Sequence, residues 1–162
     1  MHVSIAGSRA TPGAGAIKIG AVARHFSVSV DLLRLYEREG LLIPIKSQKG
    51  TRYFAERDFA WIGTILRLVR EAGLNFAGIR RLLALLPCWE IRGCPYPRKQ
   101  DCPVVSDATA PCWANRACAC SGSSQECYSC PVYRSAPSCE NLKALLVSPV
   151  GSRVYVPGPS PN

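Results

Sequence analysis

All nine cysteines of this 162-residue chain lie between Cys88 and Cys139, and none precedes them. That placement divides what the chain can fold into. The upstream part must close a core with ordinary apolar side chains. The downstream part, with prolines at 95, 97, 103, 111, 131 and 137, has only short apolar runs and needs another source of cohesion. The opening MHVSIAGSRATPGAGA lacks a basic start followed by a long apolar run, so no signal peptide is expected, and no stretch approaches a membrane span. In a cytoplasmic chain, which this one is expected to be, dense cysteine points to metal ligation or thiol redox chemistry rather than a disulfide framework. The odd count also leaves one thiol over in any scheme of pairs.

Charge shows the opposite asymmetry. The net charge is +9, and residues 1–87 hold 13 Lys and Arg against 6 Asp and Glu, whereas residues 88–162 hold 7 against 5. A basic N-terminal half suits an anionic partner, although a merely soluble basic domain has the same signature. Composition suggests a disordered leader over 1–16, a folded domain over 17–87, a Cys-rich module over 88–139, and a short helix with a disordered tail over 140–162.

Periodicity organises the folded domain. Ile19, Val22, Ala23 and Phe26 fall on one face of a short helix, which Ser27-Val28 breaks. Ser29 is a candidate N-cap for a second helix running to Glu39, and Gly40 stands where a helix end favours a left-handed residue. The segment Leu41–Ile45, a polar Lys46–Gly50 turn and Thr51–Phe54 then read as a small hairpin with a basic tip. A third helix is predicted from Glu56 to Ala72, ended by Gly73. A fourth, capped by Asn75, carries Phe76, Ile79, Leu82, Leu83 and Leu86 inward and stops at Pro87. The apolar positions of these helices are core. The expected fold is mainly α: a winged helix-turn-helix followed by a small irregular Cys-rich domain.

The run IGAVARHFSVSVDLLRLYEREGLL, followed by GTRYF, AERDFAWI and REAGLNFAGIRRLL, resembles the MerR-family DNA-binding domain in order and spacing. The positions carrying the resemblance are Val28, Ser29, Leu33, Arg34, Tyr36, Glu37, Gly40, Leu41, Arg52, Tyr53, Gly73, Asn75, Ile79 and Arg80. It implies a transcriptional regulator that binds double-stranded promoter DNA and acts on RNA polymerase indirectly, by distorting the promoter. In a recognition helix the early side chains reach base edges while flanking groups hold phosphates. Ser29 and Arg34 fit the first role. Lys46, Lys49 and Arg52 around the hairpin, and Lys18 and Arg24 on the first helix, fit the second. Tyr36 and Tyr53 offer hydroxyls to phosphates, the alternative for Tyr36 being a place in the core with its hydroxyl at the surface. Glu37 is expected to stabilise its helix or pair with a basic neighbour rather than touch DNA. Leu32 and Leu35 depart from the family pattern, which usually has Thr and Tyr there. A larger departure follows Pro87: the long dimerisation helix of the family has no counterpart, since the one late helical run, Cys139–Val147, is about two turns long. A homodimer would need a non-standard interface.

The Cys-rich segment contains an imperfect repeat. Cys88-Trp89-x4-Cys94-x7-Cys102-Pro103-Val104 is echoed by Cys112-Trp113-x4-Cys118-x11-Cys130-Pro131-Val132, with Cys120 and Cys127 added in the second half. It is similar to a paired Cys-Trp module found on some bacterial sensory proteins. Cys88, Cys94, Cys102, Cys112, Cys118, Cys120, Cys127 and Cys130 are the candidate metal ligands, and with no histidine in the segment ligation by cysteine alone is expected. An iron–sulfur cluster is favoured over structural zinc, with a metal-free thiol switch as the third reading. The SoxR branch of the MerR family carries a cluster motif of four cysteines, although there the short gaps run in the opposite order. Trp89 and Trp113 read as packing lids over the sulfurs.

The resulting expectation is a regulator that reads DNA through the winged helix and senses redox state or metal through the cysteines. The alternative is an excisionase-like or architectural DNA-binding protein whose C-terminal half is stapled by zinc. An enzyme is not expected, since there is no catalytic histidine, carboxylate pair or phosphate-cradling glycine loop.

Overall fold

The computed structural model describes residues 13–94, 102–107, 109–115 and 123–147. The chain enters as a short strand β1 (Ile17–Lys18), then α1 (Ile19–His25) and α2 (Val30–Arg38). Strands β2 (Ile45–Lys46) and β3 (Arg52–Phe54) form the hairpin, and a 3-10 turn (Glu56–Asp58) leads into α3 (Phe59–Arg70) and α4 (Phe76–Ala84). The Cys-rich segment contributes α5 (Cys88–Arg92), α6 (Pro103–Ser106), a 3-10 turn (Cys112–Ala114), α7 (Ser124–Ser129) and α8 (Pro131–Arg134). A 3-10 run (Ala136–Asn141) and α9 (Leu142–Val147) follow. No helix among the described residues is long and apolar enough to cross a membrane.

Local signals account for the element ends. Ser27 adopts a left-handed φ of 53° and closes α1. Ser29 then caps α2, its Oγ accepting from the Leu32 amide at 3.1 Å, and Asn75 caps α4 by accepting from the Gly78 amide at 2.8 Å. Gly40 and Gly73 take φ of 73° and 66° at the ends of α2 and α3, where a side chain would strain the backbone.

Three elements differ from the sequence-based expectation. The hairpin is extended to three antiparallel strands in the order β1-β3-β2, because Ile17 and Lys18 pair with Phe54 and Tyr53. The run 41–44 is a buried loop rather than strand. Its backbone donors are already taken: the Leu41 and Leu42 amides both donate to the Tyr36 carbonyl, at 2.8 and 3.2 Å, and the Ile43 amide donates to the Tyr133 hydroxyl at 2.9 Å. An amide committed to a helix end or a side chain is lost to a sheet ladder. The late helix predicted from Cys139 is α-helical only from Leu142, after a 3-10 run.

One buried cluster spans both compositional blocks. It joins Val22, Leu33, Tyr36, Phe54, Ile62, Ile65, Ile79 and Leu83 to Tyr128, Val132, Tyr133, Ala136 and Cys139. A polar clasp crosses the same seam. Asp58, only 2% exposed, caps its own turn by accepting from the Ala55 amide at 2.8 Å. It also accepts from the Tyr128 hydroxyl at 2.9 Å and Arg134 Nη1 at 2.7 Å. The Arg134 guanidinium stacks over the Tyr128 ring, 4.1 Å from its centroid. A buried carboxylate is tolerable only when paired and fully hydrogen-bonded, and here the partners come from the Cys-rich segment.

Candidate nucleic-acid interface and the cysteine cavity

Helix α2 and the wing form one surface. Ser29 is exposed at the N-cap of α2 and Arg34 on the helix itself, with Arg34 bridging to Asp31 at 3.2 Å, and Arg38 is exposed on the helix's last turn. Arg38 was missed in the sequence reading, although its i, i+4 relation to Arg34 places it on the same side of the helix. Lys18 and Arg24 are exposed on β1 and α1, and Lys49 is exposed at the wing tip. Ser47 shapes that tip, its Oγ accepting from the Thr51 amide at 3.1 Å, and Gly50 takes a φ of 80°. Tyr53 is half-buried on the central strand of the sheet.

Glu37 ties the helix to the wing. It pairs with Lys46 at 2.6 Å and with the Arg52 guanidinium, while its own side chain is largely buried. Burial alone would push the Glu37 carboxyl up, but the hydrogen bonds and charges of Arg52 and Lys46 outweigh it and hold the group below its usual range. Glu37 therefore positions both the half-buried Arg52 and the exposed Lys46. Tyr36 belongs to the core. It is 1% exposed and packs edge-on to Phe76 with centroids 5.7 Å apart, and burial raises its hydroxyl pKa. The core role weighed for Tyr36 from the sequence is the one its position supports.

The eight candidate ligands separate. Cys88, Cys102, Cys112, Cys127 and Cys130 line one cavity of about 20 Å³, together with Arg92, Val104, Trp113, Val132 and Tyr133. Cys94 does not line it, and Cys118 and Cys120 lie outside the described residues. The seven described cysteines form no disulfide with one another. Buried Cys139 sits apart from the cavity, and burial, with Glu140 beside it, pushes its thiol up to about 12, so it stays protonated.

The cavity is built by the repeat. Cys88 and Cys112 each follow a proline and open a helical turn, and Cys102 and Cys130 each precede a Pro-Val helix start. Val104 and Val132, equivalent in the repeat, are both buried against the cavity. Arg92 supplies a cation, its Nη1 3.5 Å from Cys130 Sγ. The donor set is thiol only, which suits a soft metal. No three His, Cys, Asp or Glu side chains among the described residues are placed to grip a single ion as they stand. The two tryptophans differ: Trp113 lies at the cavity and Trp89 does not.

Residues 17–86 match the family model described as MerR HTH family regulatory protein. The chain is 36% identical over 64 residues to the HTH-type transcriptional regulator AdhR of Bacillus subtilis, covering 39% of this chain and 45% of that protein. It is 30% identical over 67 residues to the putative heat shock protein HspR of Streptomyces coelicolor, covering 41% of this chain and 44% of that protein. The chain thus spans less than half the length of the curated relatives it matches, and no solved structure matches it significantly. Over residues 17–86 the chain carries a helix-turn-helix domain of the MerR family.

Proposed function

We propose that the chain is a transcriptional regulator that binds double-stranded promoter DNA through α2 and the wing, and senses redox state or metal through its cysteines. The observation that carries the reading is the continuous surface on which Ser29, Arg34 and Lys49 are exposed and Glu37 fixes Lys46 and Arg52 beside them. A helix presenting an arginine toward base edges, flanked by cations at phosphate reach, is what sequence-specific docking in a major groove requires. The protein acts on RNA polymerase indirectly, through the promoter's shape, and pairs two such heads by an interface other than a long helix. The cytoplasm is the compartment such a role implies.

Selection of binding sites from random duplexes, followed by titration of the preferred one, tests this. Arg34→Ala is expected to lower specific affinity by about 1–3 kcal/mol and to relax one base position. Lys49→Ala is expected to weaken all duplexes alike and reduce the salt slope by about one. Absence of duplex binding at low salt would overturn the reading.

A second reading, an architectural DNA-binding protein with a zinc staple, is favoured by the core that the Cys-rich segment shares with the helix-turn-helix. Under it, DNA binding is the same whatever the state of the thiols.

A further inference from the structure

We infer that the cavity ringed by Cys88, Cys102, Cys112 and Cys130 binds a thiolate-ligated metal centre, and that Trp113 and Tyr133 transmit its loading to the loop joining α2 to the wing. The inference rests on the sensor reading above and specifies both its ligands and its route.

The ligand set follows from the repeat. Each half supplies a Cys that opens a helical turn after proline and a Cys that precedes Pro-Val, and all four converge on one cavity. Four thiolates are what a tetrahedral zinc or an iron–sulfur cluster takes. Cys127, three residues before Cys130, lines the cavity as a fifth. Arg92 beside Cys130 offsets the negative charge that four thiolates bring. The surroundings are apolar, from Val104, Val132 and the two aromatic rings, which keeps water from competing for the metal. Since no three of these groups grip an ion in their present positions, loading must draw the thiols toward one centre.

That movement has a direct route to the DNA-binding surface. Trp113, next to Cys112, donates from Nε1 to the Gly40 carbonyl at 2.8 Å. Tyr133, in the helix that Cys130 precedes, accepts from the Ile43 amide at 2.9 Å. The two rings meet edge to face, 5.2 Å apart at 83°. Gly40 is the left-handed residue that ends α2, and a Cβ there would lie 2.8 Å from the Ala114 Cβ. Residues 40–43 are therefore gripped at both ends by side chains that also line the cavity. Shifting Cys112 or Cys130 shifts what holds the end of α2 and the entry to β2.

The full-length protein, purified anaerobically, is reconstituted with zinc, or with ferrous iron and sulfide, and its metal content and absorption spectrum are recorded. Colour with acid-labile sulfide identifies a cluster and a colourless stoichiometric metal identifies zinc; either supports the site. Alkylation with mass spectrometry then reads each thiol in the folded wild type, so the result does not depend on a variant folding. Cys88, Cys102, Cys112 and Cys130 are expected to be protected only in the loaded protein, with Cys94 labelled in both states. Cys112→Ser and Cys130→Ser are expected to lose the metal, and Cys94→Ser to keep it. Failure to bind either metal, or protection of a different set, overturns the site.

For the route, loaded and metal-free protein are expected to differ about tenfold or more in affinity for the selected duplex, within the usual range of coupling between sites. Trp113→Phe and Tyr133→Phe are expected to retain the metal and bring the two affinities together. An unchanged ratio in both variants overturns the route. Metal content and labelling involve no DNA, so failure of the DNA-binding reading is distinguishable from failure of the site.

Discussion

In residues 17–86 the core is closed by side chains that this stretch supplies itself, with Leu33, Ile62, Ile65 and Ile79 fully buried. In residues 88–147 the largest buried groups, Tyr128 and Tyr133, lean on the other half through Asp58 and Ile43. The first region is held by periodic apolar faces and capped helices. The second is a set of helices of four to six residues and 3-10 turns, which cannot persist in isolation. The difference shows that the Cys-rich segment takes its order from the helix-turn-helix it packs on.

Four changes break or sharpen that contrast, in descending order of effect. Ile65→Ala opens a cavity in the self-contained core and is expected to cost about 3–4 kcal/mol in denaturant unfolding. Asp58→Ala cuts the clasp at the seam and leaves the Arg134 guanidinium uncompensated, at about 3 kcal/mol. Hydrogen exchange distinguishes the two: Asp58→Ala should release residues 124–139 before α3, and Ile65→Ala should release both together. If Asp58→Ala left 124–139 as protected as α3, the dependence of the second region on the first would be refuted.

Tyr133→Phe removes the acceptor of the Ile43 amide and is expected to cost about 1–2 kcal/mol, because the amide remains buried without its partner. Glu37→Gln acts wholly within the first region, at about 1 kcal/mol, by loosening Arg52 and Lys46. Wing mobility by NMR relaxation is its readout, with exchange in 124–139 unaffected. The same pair gives a pH dependence. The folded Glu37 carboxyl titrates below its ordinary value of 4.5, so its contribution is complete above that value and is lost as pH falls through the folded pKa. Glu37→Gln should flatten that acid limb of the stability curve.

Much of the first region was legible from the chain. The Ser29 and Asn75 caps and the Gly40 and Gly73 stops follow from short-range rules, whereas the partners of Glu37 come from the wing and are set by the tertiary fold. Strand β1 was not, since two residues carry no detectable alternation and exist as strand only by pairing with Phe54 and Tyr53. The loop 41–44 was read as strand because its apolar run fits either state, and only its distant donors decide. In the cysteine segment the repeat was visible, but which thiols meet was not. Cys94 holds a repeat position like the others yet does not line the cavity, whereas Cys139 already stands outside the repeat.

By itself the sequence determined the helix-turn-helix with its wing and the duplicated Cys-Trp to Cys-Pro-Val frame, because caps, glycines and apolar spacing act over a few residues. Only the tertiary structure decided that the two blocks share one core, that both halves of the repeat point their end cysteines into one cavity, and that Trp113 and Tyr133 reach Gly40 and Ile43. Those contacts join residues 73 and 90 positions apart, and no local preference encodes a pairing at that distance.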